Sequence, residues 1–464
     1  MNLRTVCALS AWCGIALSAA AWAGAPVGWR TDGTGKYPQA DPPIKWSADE
    51  NVFWKTPLPA ASNATPIVVG DKVFVCSEPT DLICLSLADG RILWRKANDY
   101  RDAFTPAQTA RAEADARRAK AVVAEVRALR TQYKAAAAAL AKAAKDPAAR
   151  AKVIDLKKRT AERTKALQGL RAFEPPKRHS VTGTTSPTPV SDGKFVYVHT
   201  GEGAVACYDL DGRRQWIKWV EKPLHDWAGH CNSPLLVGGR LIVHVVDVVA
   251  LDARTGKELW RTPSKWHDVF GSPIHVRVGG TDLYVDPNGD ILRVSDGRRL
   301  AEAVCPLEFP APVADAGVLY FIRHGGKALK LPATVGETLV CRTLWQTAVK
   351  KDRYYASPVV HDGLIYAVTR ECVFSVIDAA DGKVVYTRTL DLGGPRPDQI
   401  YSSVALAGKY VYVSHKNGTT AVLAAGRQYR RMATNKLEPF RSCPVFLGRR
   451  MLIRGQKHLY CIAK

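Results

Sequence analysis

A unit of roughly forty residues recurs eight times in this chain, and a repeat of that length dictates the architecture before any other feature does. Each copy opens on a small residue followed by Pro or Val, runs through short alternating strands joined at Gly, Asp or Asn, and in most copies reaches an aromatic residue. The openings fall at positions 66, 189, 234, 273, 312, 358, 404 and 444; after a long first gap the spacings are 45, 39, 39, 46, 46 and 40. Each copy holds about four short strands. One four-stranded sheet cannot bury both of its faces, so each copy needs a neighbour on either side. The expectation is an all-β fold, an eight-bladed β-propeller. The eighth copy lacks a fourth strand, and residues 50–58 (ENVFWKTPL) offer an orphan one that would close the ring and leave no edge unpaired.

The stretch ALDARTGKELW, residues 250–260, shows how a copy is built. Gly256 sits where the outer hairpin needs a positive φ. Trp260 then follows on the outer strand, where an indole can pack against the next blade and bury a large area for one residue. Trp54, Trp94, Trp216, Trp345 and Tyr386 hold the same place and share this blade-docking assignment.

The first gap is too long for one blade, and its excess lies in residues 100–178. Ala119, Val122, Val126, Leu129, Tyr133, Ala136, Leu140 and Ala143 step by three and four, as do Ala149, Val153, Leu156, Thr160, Arg163, Leu167 and Leu170. Such spacing is a helical seam. Asp146-Pro147 between the two runs stops one helix and starts the next. The reading is an antiparallel helical hairpin inserted in the propeller, a coiled-coil arm. Domain boundaries follow: residues 1–23 a signal peptide, 44–99 blade one plus the closing strand, 100–178 the arm, and 179–464 blades two to eight.

Charge is concentrated in the arm. The whole chain carries a formal net charge of +23, and residues 101–178 hold 20 Lys or Arg against 8 Asp or Glu. An excess of that size favours an anionic partner. No aromatics are interleaved to stack bases, which disfavours nucleic acid. At the N-terminus, Arg4, the apolar stretch 6–20 and Ala21-Trp22-Ala23 form the three parts of a secretory signal peptide, so the expectation is an exported, periplasmic or extracellular protein that is not transmembrane. Nine of the eleven cysteines lie beyond that segment, several inside apolar strand patterns where they read as small core residues.

The A-x-D-x-x-T-G-x-x-x-W pattern at 250–260, with the Ser-Pro openings, resembles the tryptophan-docking motif of pyrroloquinoline-quinone (PQQ) repeat propellers. The resemblance covers roughly residues 44–99 and 179–464. That family includes quinoprotein alcohol dehydrogenases and non-catalytic propellers, among them the lipoprotein of the outer-membrane barrel-assembly machine. The dehydrogenases imply two adjacent cysteines over the cofactor and a calcium site of Glu, Asn and Asp; this chain has no Cys-Cys pair, no such calcium set that its motifs identify, and no C-x-x-C-H haem site. The resemblance therefore implies the non-catalytic branch, although the lipid-attachment cysteine of the barrel-assembly lipoprotein is missing here.

In a propeller, residues just before each opening gather at one mouth of the central channel. The candidates there are His179; His225, Asp226, Trp227 and His230; Trp266, His267 and Asp268; Arg353, Tyr354 and Tyr355; Gln399 and Tyr401; and Arg441. Exposed Trp, Tyr and Arg anchor protein interfaces, whereas the two His-Asp pairs suit a cation or acid-base chemistry. The sequence as a whole points to a binding or scaffolding propeller of the cell envelope with no catalytic residue, metal or cofactor expected. Its partners would be envelope proteins or an anionic polymer, met by the arm and the propeller face. The alternatives are a PQQ-dependent oxidoreductase using PQQ with calcium at an atypical site, and a carbohydrate-binding or lyase-like propeller.

Overall fold

The structure, a computed structural model, describes residues 26–174, 178–224, 229–265, 270–394 and 399–464; the expected signal peptide lies outside them. Eight sheets are present, seven antiparallel ones of four strands and one of five that includes a parallel strand. In blade 3 the strands are Leu235–Val237, Arg240–His244, Val248–Asp252 and Glu258–Thr262, paired in that order. The two middle strands show why the ring forms. Leu241, Val243, Val249 and Leu251 pack with Tyr197 and Cys207 of blade 2, while Ile242, Val248 and Ala250 pack with Tyr284 and Leu292 of blade 4. Alternate residues point to opposite faces of a strand, and here both faces are apolar, so both must be covered.

Every blade carries a β-bulge between its third and fourth strands. In blade 3, Ala250 pairs with Trp260 but Leu251 pairs with Glu258, leaving Leu259 unopposed. The same irregularity recurs in the other seven blades. A bulge twists a strand and re-aims its side chains. The skipped residues Phe53, Leu93, Leu259 and Leu344 turn out to solvent, which accounts for exposed apolar groups on an otherwise well-buried fold. The next residue, Trp, is turned onto the neighbouring blade.

There the indole finds two partners. Nε1 of Trp54, Trp94, Trp216, Trp260 and Trp345 donates to the carbonyls of Leu87, Leu210, Ala253, Val294 and Ala379, each on the following blade, at 2.9–3.1 Å. The ring face lies on the glycine of that blade's outer turn. Gly256 has φ +71°, and a Cβ there would stand 2.8 Å from the Trp216 ring. Glycine is therefore required twice, for its backbone and for the space. Tyr386 meets the Tyr429 ring edge-on instead, with centroids 6.2 Å apart.

The ring closes as the sequence suggests. Val52–Pro57 pairs with His458–Ala463 and completes blade 8. The N-terminal residues before it do more than the sequence disclosed. Val27 bridges Ser191 on the inner edge of blade 2, and Lys36–Tyr37 adds a fifth, parallel strand inside Ala405–Ala407 of blade 7. Between these points the chain crosses the central channel as a strap. Arg30 on the strap is 1% exposed, and its Nη2 donates to the carbonyls of Pro358 (2.9 Å) and Val404 (2.7 Å) on the inner edges of blades 6 and 7. The propeller thus starts upstream of residue 44, with a cross-brace that no repeat pattern encodes.

The arm consists of two helices, Pro106–Lys142 and Pro147–Gly169. Thr105 and Gln108 form a capping box on the first, and Asp146 caps the second. The first has 37 residues, a length of about 55 Å. Leu129, Ala136 and Leu156 form the buried seam, with Tyr133 and Val153 against it. Arg163, assigned to the seam from its spacing, instead lies on the surface and pairs with Glu125 of the first helix at 2.8 Å, while Thr164 beside it is half-buried. At the base, Tyr100, Phe104 and Phe173 cluster edge and face around Trp219 of blade 2, with centroids 5.3–6.3 Å apart. Among the described residues no helix is long and apolar enough to cross a membrane. None of the nine cysteines there is in a disulfide.

Two outcomes follow for stability. Trp260→Ala removes a half-buried indole and its hydrogen bond and should cost about 2–3 kcal/mol in denaturant titrations, below the range for fully buried large-to-small changes. Replacing residues 103–174 by a short Gly-Ser linker should leave a cooperatively melting propeller with its far-UV strand signal intact; loss of cooperative unfolding would show that the arm is part of the propeller core.

Candidate functional site

The opening of each repeat builds the channel wall. The small residue before Pro or Val puts its hydroxyl on the neighbouring blade's backbone. The N–H groups of Thr65, Thr188, Ser233, Ala311, Ser357 and Cys443 donate to the side-chain oxygens of Thr188, Ser233, Ser272, Ser357, Ser403 and Thr65 at 2.9–3.2 Å. Ala311 and Cys443 offer no hydroxyl oxygen to accept such a bond, and the stitch stops at those two blades. These bonds satisfy inner-strand amides that face the channel.

Two residues ahead of each of these positions stand Asn63, Ser186, Cys231, Phe270, Phe309, Tyr355, Tyr401 and Arg441. All eight line one cavity of about 280 Å³ at the channel mouth. Its wall is divided. Blades 1 to 3 contribute small polar groups, and blades 4 to 7 contribute four aromatic rings in succession. Phe270 stacks on Phe309 (5.2 Å), Phe309 meets Tyr355 edge-on (4.7 Å), and Tyr355 stacks on Tyr401 at 5.0 Å with 9° between planes. The Arg353 and Arg441 guanidinium groups lie over Phe309 and Tyr401, both at 5.3 Å, a cation–π geometry. The Arg441 Nη1 also donates to the Val181 carbonyl at 3.1 Å. Trp29 of the strap lines the cavity and also the cleft on the strap's other side, so it forms the floor. The strap thus bounds one side of this pit.

The chain returning from the arm supplies the remaining wall. Glu78, buried in blade 1, accepts from the N–H groups of Thr184 and Thr185 at 2.8 Å and from both hydroxyls, and pairs with Arg178 at 3.2 Å. This carboxylate clamps the return strand so that His179, Val181 and Thr182 face the cavity. Among the described residues no Asp or Glu lines the cavity, whereas Arg353, Arg441 and His179 do. The chemistry the described lining offers is apolar contact, stacking and attraction for a negative group. Burial pushes the Cys231 thiol up to about 12, so it is a neutral wall group.

Of the residues expected at the mouth, His179, Arg353, Tyr355, Tyr401 and Arg441 line the cavity. Tyr354 does not: it is buried in the blade 5–6 core, and its hydroxyl donates to the Lys350 carbonyl at 3.0 Å. Gln399 supports the wall from behind, its amide oxygen accepting from the Tyr401 hydroxyl (2.7 Å) and Lys416 Nζ (2.9 Å). His230 is 3% exposed and belongs to a buried group with His199 and His244. His225, Asp226, Trp227, Trp266, His267 and Asp268 lie outside the described residues. Among the described residues no group of three or more His, Cys, Asp or Glu is placed to hold a metal ion. Asn63, Ser186, Cys231, Phe270 and Phe309 are wall residues missed from sequence. They were findable, since they share one register with Tyr355, Tyr401 and Arg441. Trp29 was not, because the strap repeats nothing.

Comparison with known proteins agrees with this architecture. The family model described as outer membrane protein assembly factor BamB matches residues 42–139, 168–338 and 246–449. No curated protein matches the sequence. Among solved structures, BamB from Moraxella catarrhalis is similar at TM-score 0.55 and 11% identity, covering 88% of this chain and 96% of that one. A quinohemoprotein alcohol dehydrogenase from Comamonas testosteroni is similar at TM-score 0.54 and 11% identity, covering 94% and 80%. A europium-containing methanol dehydrogenase is similar at TM-score 0.55 and 11% identity, covering 92% and 88%. At such identities the likeness is one of fold.

The histidines behind the wall give a pH prediction. Burial, with His230 and His244 adding, pushes His199 down to about 3. The folded protein therefore holds His199 neutral while the unfolded chain takes up a proton below about pH 6.5. Stability is fully present above that pH and is lost as pH falls towards 3. Melting temperature measured from pH 7 to pH 4 should fall less steeply in His199→Gln than in the parent, whatever the offset at pH 7.

Proposed function

We propose a scaffolding function on this premise: the chain belongs to the family of outer membrane protein assembly factor BamB. It works in the cell envelope as an exported, non-catalytic propeller that holds partner proteins at its channel mouth. Export is inferred from the N-terminal sequence, with its basic residue, apolar stretch and Ala21-Trp22-Ala23 signature. The observation that carries the binding role is the makeup of the pit. Four aromatic rings and two arginines surround it, no carboxylate among the described residues lines it, and Trp29 of the strap adds a further ring. Tyr and Arg in a concave site are the residues that dominate interface energetics, each offering a large apolar surface and a polar tip. A partner loop bearing an apolar side chain next to a carboxylate would complement this wall.

Two measurements test the reading. Site-specific photo-crosslinking from position 401 should capture a defined envelope protein, and Tyr355→Ala/Arg441→Ala should reduce its recovery at least tenfold while Phe53→Ala, on the outer rim, leaves it unchanged. Equal recovery with all three proteins would remove the mouth as the contact. The quinoprotein alternative is tested by titrating the mature protein with PQQ, with and without Ca²⁺. The expected result is no calcium-dependent change in quinone absorbance or melting temperature; tight, calcium-dependent binding would overturn the non-catalytic assignment.

A further inference from the structure

The arm carries a second concave site, separate from the mouth. Along one side of the hairpin a cleft of about 510 Å³ runs between the two helices. Val126 and Leu167, both nearly buried, form its floor, and Val123 at its edge is 42% exposed. Arg127, Arg130 and Lys134 of the first helix and Arg171 after the second form its walls, and no acidic residue lines it. Glu113, Asp115, Glu125 and Asp155 each pair with an arginine of the arm outside the trough, and Glu174 pairs with Arg171 at its end. Arg127, Arg130 and Lys134 have no such partner among the described residues. The site is thus an apolar trough flanked by three cations without an acidic partner, with the Arg171–Glu174 pair at one end.

We propose that this trough takes an acidic amphipathic helix of a partner protein as the third helix of a bundle. The geometry favours a helix over other anions. Val123, Arg127, Arg130 and Lys134 follow the spacing of one helix face, over about 17 Å at 1.5 Å per residue. A helix of similar length with an apolar stripe flanked by Glu or Asp matches both floor and walls, the helix-in-groove mode of recognition. A flat lipid surface would meet these cations on a convex face, whereas here they rim a concavity. A nucleic acid would want stacking rings, yet Tyr133, the one aromatic residue of the two helices, packs into the seam. The inference rests on the scaffold reading only in taking the partner to be a protein; it does not use the mouth.

The test is fluorescence anisotropy with the full mature protein and three labelled probes at about physiological salt, where loose surface attraction is largely screened. The probes are an acidic peptide patterned as an amphipathic helix, a scramble of identical composition, and polyglutamate of equal charge. Vesicles with and without phosphatidylglycerol form a fourth arm. The patterned peptide should bind at least tenfold more tightly than the scramble. Arg130→Glu/Lys134→Glu should weaken it at least tenfold, while Lys158→Glu/Lys165→Glu, which changes the net charge equally but lies outside the trough, should leave Kd within twofold. Circular dichroism and melting of both variants check that the arm still folds. Equal binding of all three probes, an equal loss in both double variants, preference for the anionic vesicles, or no binding would each overturn the proposal. Tyr355→Ala/Arg441→Ala should not alter peptide binding, so failure here is distinct from failure of the mouth as a partner site.

Discussion

The docking of one indole on the next blade's turn is the contact on which the rest of this molecule depends. It combines three requirements that reinforce one another: a bulge that re-aims the tryptophan, a carbonyl that accepts from Nε1, and a glycine whose missing Cβ admits the ring. Neither partner belongs to the same sheet, so the contact has no value in an isolated blade. It therefore couples five of the eight sheets to their successors and makes the ring, and not the blade, the cooperative unit. The inner hydroxyl stitch repeats the logic at the other radius, with a side-chain oxygen from one blade satisfying an amide of its neighbour.

Closing the ring creates a channel, and the chain fills it from one side. The strap spans from blade 2 to blade 7 and places a fully buried arginine against two inner-strand carbonyls. A buried guanidinium is costly unless its donors are met, and the carbonyls of Pro358 and Val404 meet part of that need. Pro358 and Val404 sit at the repeat openings, the same positions that build the wall, so strap and wall are fitted to each other. What remains open above Trp29 is a pit with an aromatic half and a polar half, a division that follows from which residue each repeat carries three places before its opening.

The arm and the pit are joined by a short return strand held by Glu78. Phe173 ends the arm against Trp219 of blade 2, and by His179 the chain is already in the pit wall. A partner meeting one of these surfaces is brought near the other, and two modest sites on one rigid frame bind with a raised effective concentration. The aromatic cluster at the arm's base supplies the rigidity this needs.

Much of this was written in the order of residues. The eight openings, the alternation that leaves both strand faces apolar, and the Thr-Gly turn before a tryptophan determined the propeller, its blade count and its closing strand, because each blade is local in sequence and repeats one pattern. The two helical seams and Pro147 determined the arm. Arg163 was misplaced because spacing counts positions and does not distinguish a seam residue from its neighbour when both are polar. The pit was half legible: Tyr355, Tyr401 and Arg441 stand in a repeated register that also holds Phe270 and Phe309, while Tyr354 next door points into the core because successive residues face opposite ways. Only the tertiary structure decided that residues 26–40 bridge blades some 160 and 370 positions away in the chain, that Trp29 of this strap joins the cavity wall, and that His230 is buried with two other histidines and not at the mouth. Such contacts join segments with no common pattern, and their energy comes from shape and burial that exist only once the ring has closed.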